Sequence, residues 1–156
     1  MKKTPKVLLV DDNPADVALV CEASAGGANP SQIRHVVDGE KAIAYLRRTE
    51  EYAEALRPDL IILDLNLPRK DGRKVLAEIK GDADLRTIPV VIFSTSQAPQ
   101  DIAGCYELGA NCYVSKPMEM DSFFSAIRSI ETYWFETAHL PGEDNDGRRV
   151  ETRFVN

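Results

Sequence analysis

Five side chains suited to phosphoryl chemistry stand at or just after the ends of short apolar runs. Asp11 and Asp12 follow the first run, Asp64 follows another, Ser94 ends a third, and Lys116 comes just after a fourth. Clustered carboxylates raise one another's pKa unless a cation intervenes, and Mg²⁺ with oxygen ligands suits such a set best. A carboxylate can attack phosphorus beside that ion, while a lysine and a hydroxyl contact the phosphoryl oxygens. The residue types therefore indicate a Mg²⁺-dependent phosphoryl-transfer site.

The apolar runs and the segments between them predict the elements that position these side chains. Strands are expected at 7–10, 60–63, 90–93 and 112–114, with a weaker candidate at 33–37. Their continuous apolarity is typical of strands buried on both faces of a parallel sheet. Helical spacing predicts helices at about 14–25, 41–49, 71–80, 99–108 and 122–136. Five β-α repeats predict a doubly wound α/β fold, whose functional crevice lies beyond the carboxyl ends of the strands.

Two helices carry further signals. Asn13 is a candidate N-cap before Pro14 at the first helical position. The last helix has an apolar stripe expected to face the core, made of Phe123, Ile127, Ile130 and Trp134. Three further aromatics lie off this stripe, namely Phe124, Tyr133 and Phe135. They are expected either to pack under the C-terminal segment or to form a dimer or partner surface.

Composition narrows the classes of function. The 156 residues amount to about one domain, and 44% hydrophobic residues suffice for a core. The net charge of −6, without a basic stripe, argues against nucleic-acid binding. There is no signal-peptide pattern and no apolar stretch of membrane-spanning length. Three cysteines without CxxC spacing indicate neither a disulfide framework nor a zinc site, so a reducing cytoplasm is expected.

Over residues 6–136 the chain resembles the receiver domains of two-component response regulators. The resemblance is carried by Asp11-Asp12, Asp64, Ser94 and Lys116-Pro117, with Ser94 and Lys116 following Asp64 by 30 and 52 residues. It implies a flavodoxin-like, five-stranded parallel sheet in the order 2-1-3-4-5. A receiver domain at 1–136 would then be followed by a C-terminal extension at 137–156, with no separate output domain.

The resemblance also implies a role for each acidic residue. Asp64 would be the phosphoacceptor, and Asp11, Asp12 and Asp64 would hold Mg²⁺ together with the backbone carbonyl of Asn66. Lys116 would contact a phosphoryl oxygen as a catalytic partner of Asp64.

The switch implied by the resemblance involves Ser94 and Tyr113. Ser94, also counted with the catalytic residues, would move toward the phosphoryl oxygen. Tyr113 would follow it from an outward to an inward rotamer. Asn66 and Ser96 match variable positions that influence how quickly the phosphoryl group is lost.

A narrower resemblance concerns small response regulators paired with cyanobacterial and bacterial phytochromes. It is carried by the motif at 64–72, by Tyr133-Trp134-Phe135 ahead of Leu140-Pro141, and by the extended segment at 47–58. It implies a histidine kinase, with a phytochrome as the candidate, as partner. It also implies a homodimer formed through the fourth helix, fifth strand and fifth helix.

Three other functions use similar residues or a similar sheet. An aspartyl-phosphate phosphatase needs a second acid two residues after its nucleophile, where this sequence has Asn66. A flavin- or nucleotide-binding module needs a glycine- or hydroxyl-rich first turn, whereas this turn begins with Asp11-Asp12. A receiver-like interaction module that is never phosphorylated remains open. We expect a binding switch rather than an enzyme, with chemistry limited to its own phosphorylation and dephosphorylation.

Overall fold

A computed structural model describes residues 3–142, and residues 1–2 and 143–156 lie outside that range. The strands are β1 (Lys6–Val10), β2 (Gln32–Val36), β3 (Leu60–Leu63), β4 (Val90–Ser94) and β5 (Cys112–Ser115). The α-helices are α1 (Pro14–Ala25), α2 (Gly39–Arg47), α3 (Gly72–Gly81), α4 (Pro99–Glu107) and α5 (Met120–Thr132). A short 3-10 helix spans Glu50–Tyr52 within the segment 47–58, and a π-helical turn spans Tyr133–Thr137. Most of the expected C-terminal extension falls outside the described residues.

The five strands form one parallel sheet in the order β2-β1-β3-β4-β5. The central strand β1 aligns Val10 with Val36 of β2 and with Leu63 of β3. At the other edge, Ser94 of β4 aligns with Ser115 of β5. The fold class and strand order expected from the sequence are confirmed, and the weak second strand is real.

The sheet separates two apolar layers, because successive strand residues point to opposite faces. Leu8 and Ile61 belong to the layer with α2 and α3. Leu9 and Ile62 belong to the layer with α1 and α5. All four residues of β3 are buried, and so are all five of β4. This two-sided burial explains why these strands are apolar without alternation.

Side-chain caps set the starts of three helices. Asn13 accepts hydrogen bonds from the backbone N–H groups of Ala15 and Asp16, which confirms it as the N-cap of α1. Asp38 accepts from Lys41 N, so α2 begins at Gly39, two residues earlier than the apolar pattern indicated. Asp71 likewise caps α3. In each case the capping oxygen satisfies a backbone donor that has no partner inside the helix.

The last helix is shorter than its apolar stripe suggested. The α-helix ends at Thr132, and a π-helical turn follows it. The backbone hydrogen bond from Ala138 N to Tyr133 O, at 2.7 Å, closes this turn. Phe123, Ile127 and Ile130 are buried as expected. Trp134 lies in the π-helical turn and is only partly buried against the same layer.

Gly72 brings the start of α3 against the end of β3. A Cβ atom built at Gly72 would lie 2.2 Å from the backbone oxygen of Asp64 and 2.6 Å from Leu65 Cα. Gly72 N also donates to Leu65 O at 2.8 Å, which closes the loop that follows Asp64. Because no side chain fits in this space, glycine here keeps the loop around Asp64 compact.

No helix within residues 3–142 has both the length and the apolar character required to cross a membrane.

Candidate functional site

The carboxyl ends of β1, β3, β4 and β5 bring the predicted residues together. Backbone hydrogen bonds continue the sheet one residue further: Asp64 N donates to Val10 O at 3.0 Å, and Lys116 N donates to Ser94 O at 2.8 Å. Because parallel strands end at a common edge, side chains distant in sequence face one another there.

Asp11 lies at this edge of the sheet and is buried, with 1% of its surface exposed. Its Oδ1 accepts from Asn13 N at 2.9 Å, and its Oδ2 accepts from Lys116 Nζ at 2.8 Å. Burial raises the pKa of the Asp11 carboxyl above its ordinary value of 3.8, and the hydrogen bond from Lys116 offsets this only in part. The carboxylate is thus costly to keep charged and is suited to a cationic partner.

Asp64 is nearly as buried, with 9% of its surface exposed. Leu65 N donates to its Oδ1 at 2.7 Å, and Lys116 Nζ donates to its Oδ2 at 2.9 Å. Both carboxylate oxygens are therefore oriented by donors on the protein.

Lys116 is the cation at the centre of the site. Its Nζ donates to Asp11, Asp64 and Asp16 at 2.8, 2.9 and 2.8 Å, and its side chain is only 4% exposed. Burial alone lowers the pKa of Lys116, but the hydrogen bonds that Lys116 donates to these three carboxylates outweigh it and raise the pKa above the ordinary value of 10.5. Lys116 is therefore a fixed positive charge and not a proton donor or acceptor at neutral pH.

Asp11, Asp12 and Asp64 also fit a divalent metal ion. One carboxylate oxygen from each lies within 4.8 Å of the other two, and Asp12 is exposed to solvent. Three hard oxygen donors with one open side suit a small cation that retains several waters. Because Lys116 is one positive charge among several carboxylates, a metal ion would neutralise charge that the protein leaves uncompensated.

Comparison with known proteins agrees with this geometry. A family model described as the response regulator receiver domain matches residues 7–128. The chain belongs to this family.

Two relatives are similar along most of their length. Response regulator Rcp1 of Synechocystis sp. is 46% identical over 138 residues, covering 88% of this chain and 94% of Rcp1. The crystal structure of the phosphorylated cyanobacterial phytochrome response regulator RcpA superposes with a TM-score of 0.86 at 50% identity, covering 90% of this chain and all of RcpA. The Mn²⁺-bound form of Rcp1 superposes with a TM-score of 0.84 at 43% identity, covering 88% and 99% of the two chains. The chain is thus a two-component response regulator with a receiver fold and an acidic site of the kind that holds a divalent metal.

The predicted switch residues of this response regulator lie beside the site. Ser94 is completely buried, and its Oγ accepts from Ser96 N at 3.4 Å. The Tyr113 hydroxyl donates to the backbone oxygen of Ser96 at 2.9 Å. Both side chains thus contact the loop between β4 and α4. The roles of Ser94 and Tyr113 as a switch stay predictions, as does the backbone carbonyl of Asn66 as a metal ligand.

The sequence alone did not reveal the contacts that Asp16 and His35 make at the site. Asp16 lies in the first turn of α1, where an acidic residue is usual because of the helix dipole, so its type gave no signal. In the structure its Oδ2 accepts from Lys116 Nζ. His35 Nε2 lies 2.7 Å from the backbone oxygen of Asp11, so the imidazole helps to hold the turn after β1. Asn13 before Pro14 signalled the start of α1 in the sequence, but nothing in the sequence signalled the contacts of Asp16 and His35.

Proposed function

We propose that this response regulator accepts a phosphoryl group on Asp64 from a histidine kinase, with Mg²⁺ held by Asp11, Asp12 and Asp64. The observation that carries the proposal is the contact of Lys116 Nζ with both Asp11 and Asp64, beside the three-carboxylate cluster. This arrangement supplies an oriented nucleophile, a site for a divalent ion and a fixed cation within one pocket.

The reaction is an exchange of one bond to phosphorus for another. An Asp64 carboxylate oxygen bonds to phosphorus, the bond from phosphorus to the donor breaks, and the leaving group keeps that electron pair and takes up a proton. A bound Mg²⁺ supplies positive charge that stabilises the phosphoryl oxygens. Lys116 would donate one N–H to a phosphoryl oxygen, and the Ser94 hydroxyl would donate another hydrogen bond.

The phosphoryl group would act as a signal through the loop after β4. Ser94 and Tyr113 both contact Ser96 in that loop, which leads directly into α4. Movement of Ser94 toward the phosphoryl group would remove its bond with Ser96 N and let Tyr113 follow. The product is then a changed surface around α4 and β5, which a partner can recognise.

Labelling with a small phosphodonor tests the chemistry. The purified protein is incubated with Mg²⁺ and acetyl phosphate, and its intact mass is measured before and after hydroxylamine treatment. We expect one hydroxylamine-sensitive phosphoryl group on the wild type and none on Asp64→Asn. Asp59→Asn is the matched control, because Asp59 precedes the same strand that Asp64 follows and its carboxylate accepts only from Lys6 N among the contacts described. A folded wild type that takes up no phosphoryl group overturns the proposal and leaves an interaction module.

We propose that the protein is a switch and does not turn over external phosphomonoesters. Asn66 stands two residues after Asp64, and an amide cannot protonate a leaving alcohol. Incubation with p-nitrophenyl phosphate and Mg²⁺ is expected to release no more nitrophenol than the Asp64→Asn protein. Sustained multiple turnover would favour the phosphatase instead.

A phytochrome-type histidine kinase is the partner that we propose. The support is the similarity to RcpA, described as a cyanobacterial phytochrome response regulator, and to Rcp1. Phosphotransfer from a purified, autophosphorylated phytochrome kinase is expected to be at least tenfold faster than transfer from an unrelated histidine kinase at equal concentration. Equal rates from both kinases would remove the phytochrome assignment and leave the receiver chemistry intact.

We also propose a homodimer through α4, β5 and α5. A cavity of about 650 Å³ runs along α5 and its following turn, lined in part by Phe124, Arg128 and Tyr133. Tyr133 is 54% exposed, and the Phe124 ring contacts the Arg128 guanidinium at 5.5 Å. Sedimentation at several concentrations is expected to show a dimer that Phe124→Asp and Tyr133→Asp weaken. A wild type that stays monomeric at every concentration, with and without acetyl phosphate, contradicts this interface.

The cytoplasm is the compartment that we propose. All three cysteines are free thiols, and burial raises the pKa of Cys105 and of Cys112 above the ordinary value. Such thiols are poor nucleophiles and suit a reducing compartment. Fluorescence imaging of a tagged protein would locate it.

A further inference from the structure

Lys116 has three N–H donors, and three different carboxylates use them. Asp11 and Asp64 belong to the acidic cluster that fits a metal ion. The third acceptor is Asp16, whose Oδ2 lies 2.8 Å from Lys116 Nζ and is not part of that cluster. Asp16 therefore contacts the site through Lys116 alone among the described contacts of its side chain.

The backbone of Asp16 is held at the start of α1. Pro14 begins α1, and Asn13 caps it by accepting from Asp16 N at 3.2 Å. The Asp16 side chain is 21% exposed, whereas Asp11 is only 1% exposed. An acidic residue near a helix N-terminus needs no partner to stabilise the helix dipole. A 2.8 Å contact with a buried ammonium 100 residues away is a second and separate interaction.

A divalent ion and the Lys116 ammonium share two carboxylate partners, Asp11 and Asp64. A metal ion held by Asp11, Asp12 and Asp64 would use two carboxylates, Asp11 and Asp64, that now accept hydrogen bonds from Lys116. The metal ion and the ammonium would also repel each other. Asp16 is the one carboxylate partner of Lys116 that stays available.

The geometry points to Asp16 as a positioning residue that holds the Lys116 ammonium beside the bound metal ion. This inference rests on the proposed phosphoryl transfer for its purpose. With one N–H kept on Asp16, the N–H that faces Asp64 is freed for the phosphoryl oxygen. Without Asp16, Lys116 returns to Asp11 and Asp64 and opposes the metal ion.

The test measures divalent-metal affinity in a double-mutant cycle. Mn²⁺ is the probe, and the free ion is quantified by electron paramagnetic resonance in the wild type, Asp16→Asn, Lys116→Met and the double variant. When Lys116 is present, Asp16→Asn is expected to raise the Kd for Mn²⁺ about fivefold, the change expected from the loss of one partly buried ion pair. The same change is expected to alter the Kd less than twofold when Lys116 is absent.

Two controls separate this coupling from simple charge removal and from misfolding. Glu22→Gln removes a charge from an exposed position on α1 and should leave the Kd unchanged. Lys116→Gln provides a second background in case Lys116→Met unfolds without metal, as judged by circular dichroism. Equal ratios of Kd for Asp16→Asn with and without Lys116 overturn the inference, because they indicate direct attraction of the metal ion by Asp16.

Labelling rates supply an independent readout. At saturating Mg²⁺, Asp16→Asn is expected to take up phosphoryl groups about threefold to tenfold more slowly than the wild type, and Asp16→Glu to recover most of that loss. A wild-type rate for Asp16→Asn overturns the positioning role in the reaction. The metal cycle needs no phosphoryl transfer, so a wild type that fails to label refutes the proposed function and leaves that cycle interpretable.

Discussion

Helices α4 and α5 are held on the same sheet by different kinds of contact. Along α5, Phe123, Ile127 and Ile130 are buried in the layer shared with α1, and the Phe123 ring meets Phe93 edge-on at 5.1 Å. Along α4, Cys105 is the one residue that is fully buried. Helix α5 therefore packs on the sheet through a buried apolar face, whereas α4 buries very little apolar surface.

Polar contacts, rather than buried apolar side chains, hold α4 in place. Arg73 of α3 donates to Asp101 of α4 at 2.8 Å, and the Ser96 hydroxyl donates to the same carboxylate at 2.6 Å. Tyr113 of β5 then donates to the backbone oxygen of Ser96. Hydrogen bonds can be exchanged for other hydrogen bonds at small net cost, whereas apolar burial is lost outright when a helix shifts. We therefore expect α4 to respond to the site and α5 to stay in place.

The largest expected effect on stability comes from truncating a side chain in the buried apolar face of α5. Ile127→Ala should lower the free energy of unfolding by about 2–5 kcal/mol, because it leaves a cavity where the side chain is 1% exposed. Cys105→Ala on α4 should cost about 1 kcal/mol, since it removes a single heavy atom. Urea unfolding of both variants measures the difference. Equal losses would contradict the contrast between the two helices.

A buried polar contact on the α5 side comes next. Glu131 is 2% exposed and accepts from the hydroxyls of Ser24 and Ser31 at 2.5 and 2.7 Å, with Oε1 lacking a partner among the described residues. Glu131→Ala should cost about 1–3 kcal/mol, because two hydroxyls lose their acceptor in a buried environment. The exposed Glu107→Ala is the control and should stay within about 0.5 kcal/mol. Similar unfolding curves for the two variants would show that Glu131 adds nothing to the α1–α5 contact.

Cutting the bridge between α3 and α4 should change local motion more than global stability. The Arg73 side chain is 37% exposed, so Arg73→Gln should cost at most about 1 kcal/mol after solvent screening. Amide hydrogen exchange should nevertheless become faster in α4 and stay unchanged in α5. Lys70→Gln is the matched control, because the described ion pair of Lys70 is with Glu78, within α3 and its preceding loop. Faster exchange in both helices would mean that the two are not independent.

The smallest effect is a dependence on acid pH. The Ser96 hydroxyl, and after it the Arg73 guanidinium, lower the pKa of Asp101 below its ordinary value of 3.8. The stabilising contribution of Asp101 is therefore complete above pH 3.8 and is lost as the pH falls through the lower pKa of the folded state. The stability difference between the wild type and Asp101→Asn should be constant from pH 7 to about pH 4 and shrink below it. A difference that grows on acidification would reverse the sign of this contribution.

Much of the candidate site could be predicted because the relevant residues adjoin strand ends. Asp11, Asp64 and Ser94 sit at or beside the last residues of apolar runs, and a parallel sheet brings all such positions to one edge. Asn13 was equally clear as a cap, since a cap acts on residues two and three positions away. In these cases a local pattern and one topological rule suffice.

The tertiary structure decided the contacts that join separate helices and strands. The bond from Lys116 to Asp16, the bridge from Arg73 to Asp101 and the burial of Glu131 all depend on how helices pack on the sheet. An acidic residue on a helix has the same type whether it faces solvent or a buried ammonium. The sequence by itself thus determined the succession of strands and helices along the chain and the identity of the acidic site, because periodicity and strand ends are local properties. The order of the strands within the sheet was implied by the resemblance to receiver domains. Which side chains complete that site was determined by packing, because a partner 100 residues away leaves no mark on the local pattern.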